Sequence, residues 1–166
     1  MRLVSSSWAE VLGSLRAMST ESFEVPIQPL DPDLAIPGRM RAGDAAADLP
    51  SAIDCTIQPG ERRLVPTGFA VAIPMGSAGL VLSRSGLALH DGVAVLNAPG
   101  LIDSGYRGEV GVILINHGAE AAEITRGQRI AQLMVVQVPP FALVPVEQLP
   151  DAPDDRGAAG FGSSGA

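Results

Sequence analysis

The sequence predicts an all-β domain built from short strands, and three observations support this prediction. Glycine (19 residues) and proline (14 residues) are abundant, whereas aromatic residues make up only 4% of the chain. Hydrophobic residues at 46% and charged residues at 17% give the balance of a globular protein rather than a disordered one. β-prone runs alternate with Gly, Pro, Asn and Asp at regular intervals. Many short strands in one small domain are typical of a sandwich, a jelly roll or a barrel.

Seven runs carry the strand prediction, and all of them lie from Phe23 onward. In chain order they are FEVPIQPL, CTIQPGERRLVPTGFAVAIP, GLVLSRSG, VAVLNAPG, GEVGVILINHG, AEITRGQRIAQLMVVQVP and FALVPVEQL. The stretch QRIAQLMVVQV could be read as a helix, but its β-branched residues and the prolines just after it favour a strand.

The chain divides into three regions. Residues 1–21 have mixed, weakly helical character and form an N-terminal extension to which we assign no function. Residues 22–150 hold the predicted strands and form the β-domain. Residues 151–166 end in RGAAGFGSSGA, which cannot build a core, so composition alone predicts a disordered tail.

Charge and cysteine usage exclude several classes of function. The net charge is −7 and all 11 basic residues are arginine, which argues against a nucleic-acid-binding surface. The sequence has no apolar stretch long enough for a membrane span and no clear secretory signal, so we expect a cytoplasmic location. A single cysteine, Cys55, allows neither an internal disulfide nor a cysteine metal pair, and we expect it to be a half-buried residue on a strand. His90 and His117 are predicted to lie in loops without metal-ligand spacing, so a zinc site is not expected.

Five segments combine glycine with polar residues that could bind a ligand. They are AGDAAADL (42–49), PMGSAGLVLSRSGLA (74–88), LNAPGLIDSGYRGEV (96–110), RGQRIAQL (126–133) and RGAAGFGSSG (156–165). Glycine allows close approach of the backbone to a ligand, while N–H groups, hydroxyls and arginine can hold phosphate oxygens. A carboxylate beside a glycine-containing turn, as in LIDSGY, could accept a proton from water. Taken singly, each segment would be an ordinary turn.

Together and in this order, the five segments resemble the trimeric dUTPase family over nearly the whole chain after the extension. The resemblance implies a distorted jelly-roll or β-clip barrel and a homotrimer with the C-terminal arm exchanged between subunits. It implies hydrolysis of dUTP to dUMP and pyrophosphate by in-line attack of an Asp-activated water on the α-phosphate. It also implies Mg²⁺ as cofactor, held mainly by substrate phosphates and water without a direct protein ligand. The chain departs from the family at Ala46, where a glycine is usual, and at Ala158 and Ala159 of the arm.

The resemblance also assigns roles to residues of the third segment. Asp103 is expected to be the general base, and we expect Arg84 to pair with it when substrate is absent. Asn97 is expected to read the uracil edge together with backbone groups near Gly111. Tyr106 is expected to pack on the deoxyribose, where a ribose 2′-hydroxyl would collide with its ring.

The other expected substrate contacts come from the remaining segments and from the start of the third. Arg84, Ser85 and Gly86 are expected at the α- and β-phosphates, and Gln132 near the phosphates and the catalytic water. The further substrate-binding residues are Gly100, Leu101, Ile102, Arg156, Phe161, Gly162, Ser163 and Ser164. The last five belong to the arm, in which Phe161 would stack on uracil while Arg156 and the serines hold the γ-phosphate. Asp44 and Asp48 could anchor the structure or second-shell waters of magnesium, and a structural role is favoured for both.

Two other interpretations of the sequence are open. A dCTP deaminase of the same fold typically has RSS in place of RSG and needs a glutamate at about the position of Ile113. The strand here reads GVILIN, without a carboxylate. A non-catalytic β-protein used for assembly or regulation would not need Asp103, Tyr106 and a closing arm together.

Overall fold

The computed structural model describes residues 24–150, and the described part consists of ten strands and one short helix. The predicted N-terminal extension and the predicted arm therefore lie outside the described residues. The predicted all-β fold class is confirmed. The elements are β1 (Ile27–Pro29), β2 (Ala47–Pro50), β3 (Cys55–Ile57), β4 (Arg62–Val71), β5 (Ser77–Ser83), α1 (Ser85–His90), β6 (Val93–Val95), β7 (Gly100–Ile102), β8 (Glu109–Asn116), β9 (Ala122–Ile124) and β10 (Arg129–Gln137).

The strands form two four-stranded sheets and one two-stranded sheet, and all their pairings are antiparallel. The first sheet has the order β1-β4-β8-β6 and the second the order β2-β10-β5-β7, while β3 pairs with β9. The buried core takes Val65 and Leu114 from the first sheet, Leu49 and Ile130 from the second and Ile57 from the third. Burial of each such side chain contributes about 1.5–3 kcal/mol, so the shared core holds the sheets together.

One irregularity in the first sheet matters for the site described below. Strands β4 and β8 pair regularly from Arg62 to Pro66, which lies opposite Gly111, and the register then shifts so that Ala70 lies opposite Glu109. Three residues of β4 thus face the single residue Val110 of β8, which is the arrangement of an extended β-bulge.

The predicted strands are confirmed in most places, and the differences have local causes. The run that begins at Cys55 is broken into β3 and β4 by a turn in which the Glu61 N–H donates to the Gln58 carbonyl at 2.9 Å. Gly60 has a φ of +76° in this turn, a conformation that glycine adopts without strain. The strand predicted for residues 141–149 is wrong, since these residues form no strand. Pro139, Pro140 and Pro145 remove backbone donors there.

Two smaller predictions concern the cysteine and the histidines. Cys55 lies on β3, as predicted, but it is buried in the core rather than half-buried, and burial raises the pKa of its thiol. His90 is the last residue of α1 rather than a loop residue, because the segment SGLALH after Arg84 forms a helical turn that buries Leu87. His117 follows β8 in a loop, as predicted. No helix within residues 24–150 is long and apolar enough to cross a membrane.

The end of β8 is fixed by one fully buried amide, Asn116. Its Nδ2 donates to the carbonyls of Ile57 and Glu120, each at 2.8 Å, and its Oδ1 accepts from the Gly118 N–H at 2.8 Å. A buried amide with these three bonds joins β8 to β3 and closes the turn toward β9.

We predict that Asn116→Ala lowers the free energy of unfolding by roughly 2–4 kcal/mol, because it leaves buried backbone groups without partners. Urea denaturation followed by circular dichroism measures the change. Glu120→Ala is the matched control, since only the backbone carbonyl of that exposed residue is used, and it should change stability by less than about 0.5 kcal/mol. Equal effects of the two substitutions on stability would contradict the role given to the Asn116 side chain.

Candidate active site

A cavity of about 200 Å³ opens beside β8, and it gathers residues from four strands and the loops between them. It is lined by Val81, Val95, Asn97, Gly100, Leu101, Ile102, Asp103, Tyr106, Val110, Gly111, Val112 and Ile113. Seven residues with an expected role at the nucleoside or in catalysis are in this set. They are Asn97, Gly100, Leu101, Ile102, Asp103, Tyr106 and Gly111.

The cavity exists because β8 has a neighbour on one edge for only part of its length. Strand β6 pairs with β8 between Leu114 and Asn116, and the Leu96 N–H then donates to the Ile113 carbonyl at 2.8 Å. From there the chain leaves β8, and the edge of β8 around Gly111 faces the cavity. Unpaired backbone groups on a strand edge are available to a ligand.

Asn97 is held close to β7 because position 100 is glycine. A Cβ at Gly100 would lie 3.2 Å from Asn97 Nδ2 and 3.3 Å from the Cβ of Val81. A side chain at this position would therefore require the Asn97 amide to shift by a few tenths of an ångström. Glycine is needed here because Asn97 and Val81 lie close to the backbone, not because the chain turns.

The loop between β7 and β8 carries Asp103 and Tyr106 and is closed by its own hydrogen bonds. The Tyr106 N–H donates to the Asp103 carbonyl at 3.0 Å, and Arg107 Nη1 donates to the carbonyls of Ser104 and Tyr106 at 2.7 and 2.6 Å. Within residues 24–150, Asp103 takes part in no ion pair. The loop therefore presents an exposed carboxylate at the cavity without a counter-charge from the described chain.

A second cluster of polar residues forms around Asp48, whose side chain is only 11% exposed. Asp48 Oδ1 accepts from Arg84 Nε at 3.1 Å and from Gln132 Nε2 at 3.2 Å, while Oδ2 accepts from Arg129 Nη1 at 3.0 Å. Arg84 Nη1 also donates to the Arg129 carbonyl at 2.8 Å. The sheet dictates this meeting, because β10 lies between β2 and β5 and places Gln132 directly opposite Asp48.

This cluster corrects one expectation. In the described chain Arg84 pairs with Asp48 and not with Asp103. The reason is topological: Arg84 follows the end of β5, which is separated from β2 only by β10. Asp44, the other acidic residue of the first segment, accepts from the Arg41 N–H at 2.9 Å and so stabilises a local turn.

The remaining expected residues fall into two groups. Ser85 and Gly86 lie exposed in the first turn of α1, next to Arg84, and a Cβ at Gly86 would meet nothing within 4 Å. No contact within the described chain therefore requires a glycine there. Arg156, Phe161, Gly162, Ser163 and Ser164 lie outside the described residues. Sequence reasoning assigned no role to Arg129, although it stands in the fourth segment beside Gln132.

The described part of the chain thus separates two sets of groups. The cavity has the amide, the tyrosine and the free carboxylate, whereas the Asp48 cluster has the arginines and the glutamine. None of the four residues of the cluster lines the cavity. Within residues 24–150, no group of three or more His, Cys, Asp or Glu side chains is placed to hold a metal ion.

Comparison with known proteins adds evidence from sequence. The family model described as dUTPase matches residues 33–165 of the chain. The deoxyuridine 5′-triphosphate nucleotidohydrolase of Rhodococcus erythropolis is 49% identical over 147 residues, which cover 88% of each chain. The protein of the same name from Methylocella silvestris is 55% identical over 138 residues, covering 81% of this chain and 85% of that one.

Solved structures give a similar result for the fold. The dUTPase of Staphylococcus bacteriophage 80alpha, solved with dUPNHPP, superimposes with a TM-score of 0.80 at 28% identity, covering 87% of this chain and all of that one. A mutant dUTPase from phage phi11 of S. aureus has a TM-score of 0.72 at 25% identity over 78% of this chain and 100% of its own. That structure is reported to reveal the coordination of a structural Mg(II) ion. Because the family model covers most of the chain and relatives match it at about half identity, the chain belongs to the dUTPase family.

Proposed function

We propose that this chain hydrolyses dUTP to dUMP and pyrophosphate by in-line attack of a water molecule on the α-phosphorus, with Asp103 as the general base. The observation that carries the proposal is the cavity that brings Asn97, Asp103, Tyr106 and the edge of β8 together. Among residues 24–150 the Asp103 carboxylate has no partner in an ion pair, and a carboxylate so placed beside the cavity can take a proton from water. The relatives' shared name describes hydrolysis of deoxyuridine 5′-triphosphate.

The open edge of β8 and the Asn97 amide form the proposed uracil site. An amide side chain offers one acceptor and two donors, and the backbone at Gly111 adds its own groups. This set matches O4 and N3–H of uracil, whereas cytosine presents the reversed pattern and would leave polar groups unpaired. Close backbone contact would also exclude the methyl group of thymine.

Tyr106 is the proposed discriminator between deoxyribose and ribose. Its hydroxyl donates to the Glu109 carbonyl at 2.7 Å, which fixes the ring while 43% of the residue stays exposed. A fixed flat ring beside the sugar leaves no room for a 2′-hydroxyl. Rejection by shape depends on this fixation, because a mobile ring would make room for the extra oxygen.

The Asp48 cluster is the proposed phosphate site, together with Ser85 and Gly86. Arg84 and Arg129 supply two positive charges against the single charge of Asp48, so the cluster keeps net positive charge in a chain whose total is −7. Asp48 holds both guanidinium groups in place before a ligand arrives. Such preorganised charge binds and stabilises a phosphate without later reorganisation. Gln132 would orient the attacking water from the same cluster.

Magnesium fits this site as a cation carried mainly by the substrate. Mg²⁺ retains water readily and needs few protein ligands when phosphates supply oxygens. When bound, the ion would neutralise phosphate charge and help orient the α-phosphorus. Asn97, Asp103 and Tyr106 would then act on the base, the water and the sugar.

We also propose the distorted jelly-roll trimer with exchanged C-terminal arms. Apolar side chains after β10 stay exposed in the single chain, with Phe141 80% and Leu143 90% exposed. Such a segment fits packing on another subunit, because a monomer seldom exposes contiguous large apolar side chains. The separation of the cavity from the Asp48 cluster fits a site completed by neighbouring chains. The cytoplasmic location stays a prediction.

The deaminase interpretation receives no support from the site. Position 113, where a deaminase would need a glutamate, is an isoleucine that lines the cavity. No observation favours a non-catalytic role either. Pyrophosphate released from dUTP, as opposed to ammonia released from dCTP, separates the three interpretations.

The first functional prediction concerns Asp103→Asn. The amide cannot accept a proton from water, so kcat should fall by about 10²–10⁴-fold while binding of a non-hydrolysable dUTP analogue is retained. Pyrophosphate release and calorimetric titration measure the two properties. Asp91→Asn, an exposed position just after α1, should leave kcat unchanged. Near-normal turnover of the Asp103 variant would remove this residue from the mechanism.

The second prediction concerns the metal ion. Removal of divalent cations with excess EDTA should abolish most dUTP hydrolysis, and added Mg²⁺ should restore it, because the triphosphate and the protein are both negatively charged. The initial rate of pyrophosphate release is the measurement, and circular dichroism before and after EDTA controls for unfolding. Full activity in EDTA would contradict the proposed cofactor.

The third prediction concerns assembly. A chain truncated after Pro150 and an Asp103→Asn chain should each be nearly inactive, because one lacks the arm and the other lacks the base. Co-expression with two different tags and tandem purification yields hybrid particles, which should regain activity at sites that combine an intact arm with an intact base. The same purification with two tags on one variant is the control. Hybrids as inactive as their parents, or an active monomer by light scattering, would rule out arm exchange.

A further inference from the structure

The β-bulge between β4 and β8 is closed by side chains rather than by the regular ladder. Where three residues of β4 face Val110, the Thr67 hydroxyl donates to the Val110 carbonyl at 2.7 Å. The Gly68 N–H donates to Glu109 Oε1 at 2.8 Å. Thr67 is fully buried and forms its bond at the start of the stretch of β8 that lines the cavity. The two side-chain bonds therefore set the position of β8 at this point.

Glu109 connects this bulge to the ring of Tyr106. Its side chain is held by Gly68, while its own carbonyl accepts from the Tyr106 hydroxyl. The ring lies so close to the backbone that a Cβ at Gly108 would be 2.6 Å from the Tyr106 oxygen. A displacement of Glu109 would therefore also displace the Tyr106 ring.

Gly68 is a rigid anchor for this connection. It has a φ of +76°, and a Cβ there would lie 2.8 Å from Leu34 Cδ1 and 3.1 Å from the Cβ of Asp31. Its carbonyl accepts from the N–H groups of Leu30 and Asp31 at 2.8 and 3.3 Å. Packing and hydrogen bonds on both sides therefore hold the Gly68 N–H in one place.

We propose that Glu109 and Thr67 are positioning residues for sugar selection. They hold the Tyr106 ring and the Val110–Gly111 backbone in the geometry that accepts a deoxyribonucleoside triphosphate and rejects the ribonucleoside. This inference rests on the proposed function, since it assumes that the cavity binds the nucleoside. Neither residue needs to touch the substrate, because each acts through the backbone that forms the wall of the cavity.

Selection between the two sugars is sensitive to such positioning. Deoxyribose and ribose differ by one oxygen atom, so discrimination depends on a small space staying closed. A loss of stability lowers the amount of folded enzyme equally for both substrates. A shift of the ring, in contrast, relieves the collision with the 2′-hydroxyl and affects the two substrates differently.

The test compares matched substitutions at each position. Glu109→Ala removes the acceptor of the Gly68 N–H, whereas Glu109→Gln keeps an oxygen in its place. Thr67→Val removes the hydroxyl at nearly constant volume, whereas Thr67→Ser keeps it. The measured quantity is the ratio of kcat/KM for dUTP to kcat/KM for UTP. The alanine and valine variants should lower this ratio by about tenfold, the effect of one lost hydrogen bond, while glutamine and serine should restore it to within about twofold of wild type.

The ratio does not depend on the fraction of active enzyme, so it separates positioning from stability. An unchanged ratio in Thr67→Val and Glu109→Ala, with lower stability in urea, would overturn the proposal. If Glu109→Ala does not fold, the isosteric Thr67→Val variant decides alone. Binding of α,β-imido-dUTP and α,β-imido-UTP by calorimetry measures how far the two sugars are discriminated in binding, without turnover. A wild type that prefers the deoxy analogue but does not hydrolyse dUTP would refute the proposed function and leave this inference to be judged by binding.

Discussion

The unpaired edge of β8 is the constraint on which the candidate active site depends. Strand β6 follows β8 only as far as Leu114, and the chain then departs through Leu96 and Asn97. A strand edge inside a protein must satisfy its backbone groups with water or with a ligand. The cavity lies at this edge, so the sheet that builds the core also provides the groups that can read a planar base. On the other side of β8, the bulge with β4 is closed by hydrogen bonds from Thr67 and Gly68.

The proposed binding of a polyphosphate adds a second constraint, which is electrostatic. A chain with a net charge of −7 and no lysine must gather its arginines to bind a polyphosphate. The neighbouring positions of β2, β10 and β5 place Arg84 and Arg129 on the two oxygens of Asp48, and this cluster is the proposed phosphate site. The Asp48 side chain is only 11% exposed, so its carboxylate costs free energy to desolvate, and the charge-assisted hydrogen bonds from the two arginines offset part of that cost. The same contacts remove rotational freedom from both guanidinium groups before any ligand binds.

The sequence predicted local features well and long-range pairing poorly. Strand β10 was predictable because its β-branched residues and following prolines are local signals, and the strand of residues 141–149 was wrongly predicted from the same kind of signal. The grouping of Asn97 with Asp103 and Tyr106 followed from their shared segment. The partner of Arg84 did not, because it depends on which strands flank β10. Glu109 lies in the third segment, but nothing in the sequence was a reason to assign it a role. Thr67 carried no sequence signal either, since a bulge is visible only after the register of two strands is known.

The exposed apolar segment after β10 has a consequence for inheritance. If Phe141 and Leu143 pack on a neighbouring subunit, a substitution at either position affects the packing of that neighbour as well as the chain that carries the substitution. In a cell with two alleles, mixed particles would then form, and one altered chain could impair the sites of its unaltered partners. Damage at this segment would therefore act dominantly, whereas damage confined to the core of one chain would remove that chain before assembly and act recessively.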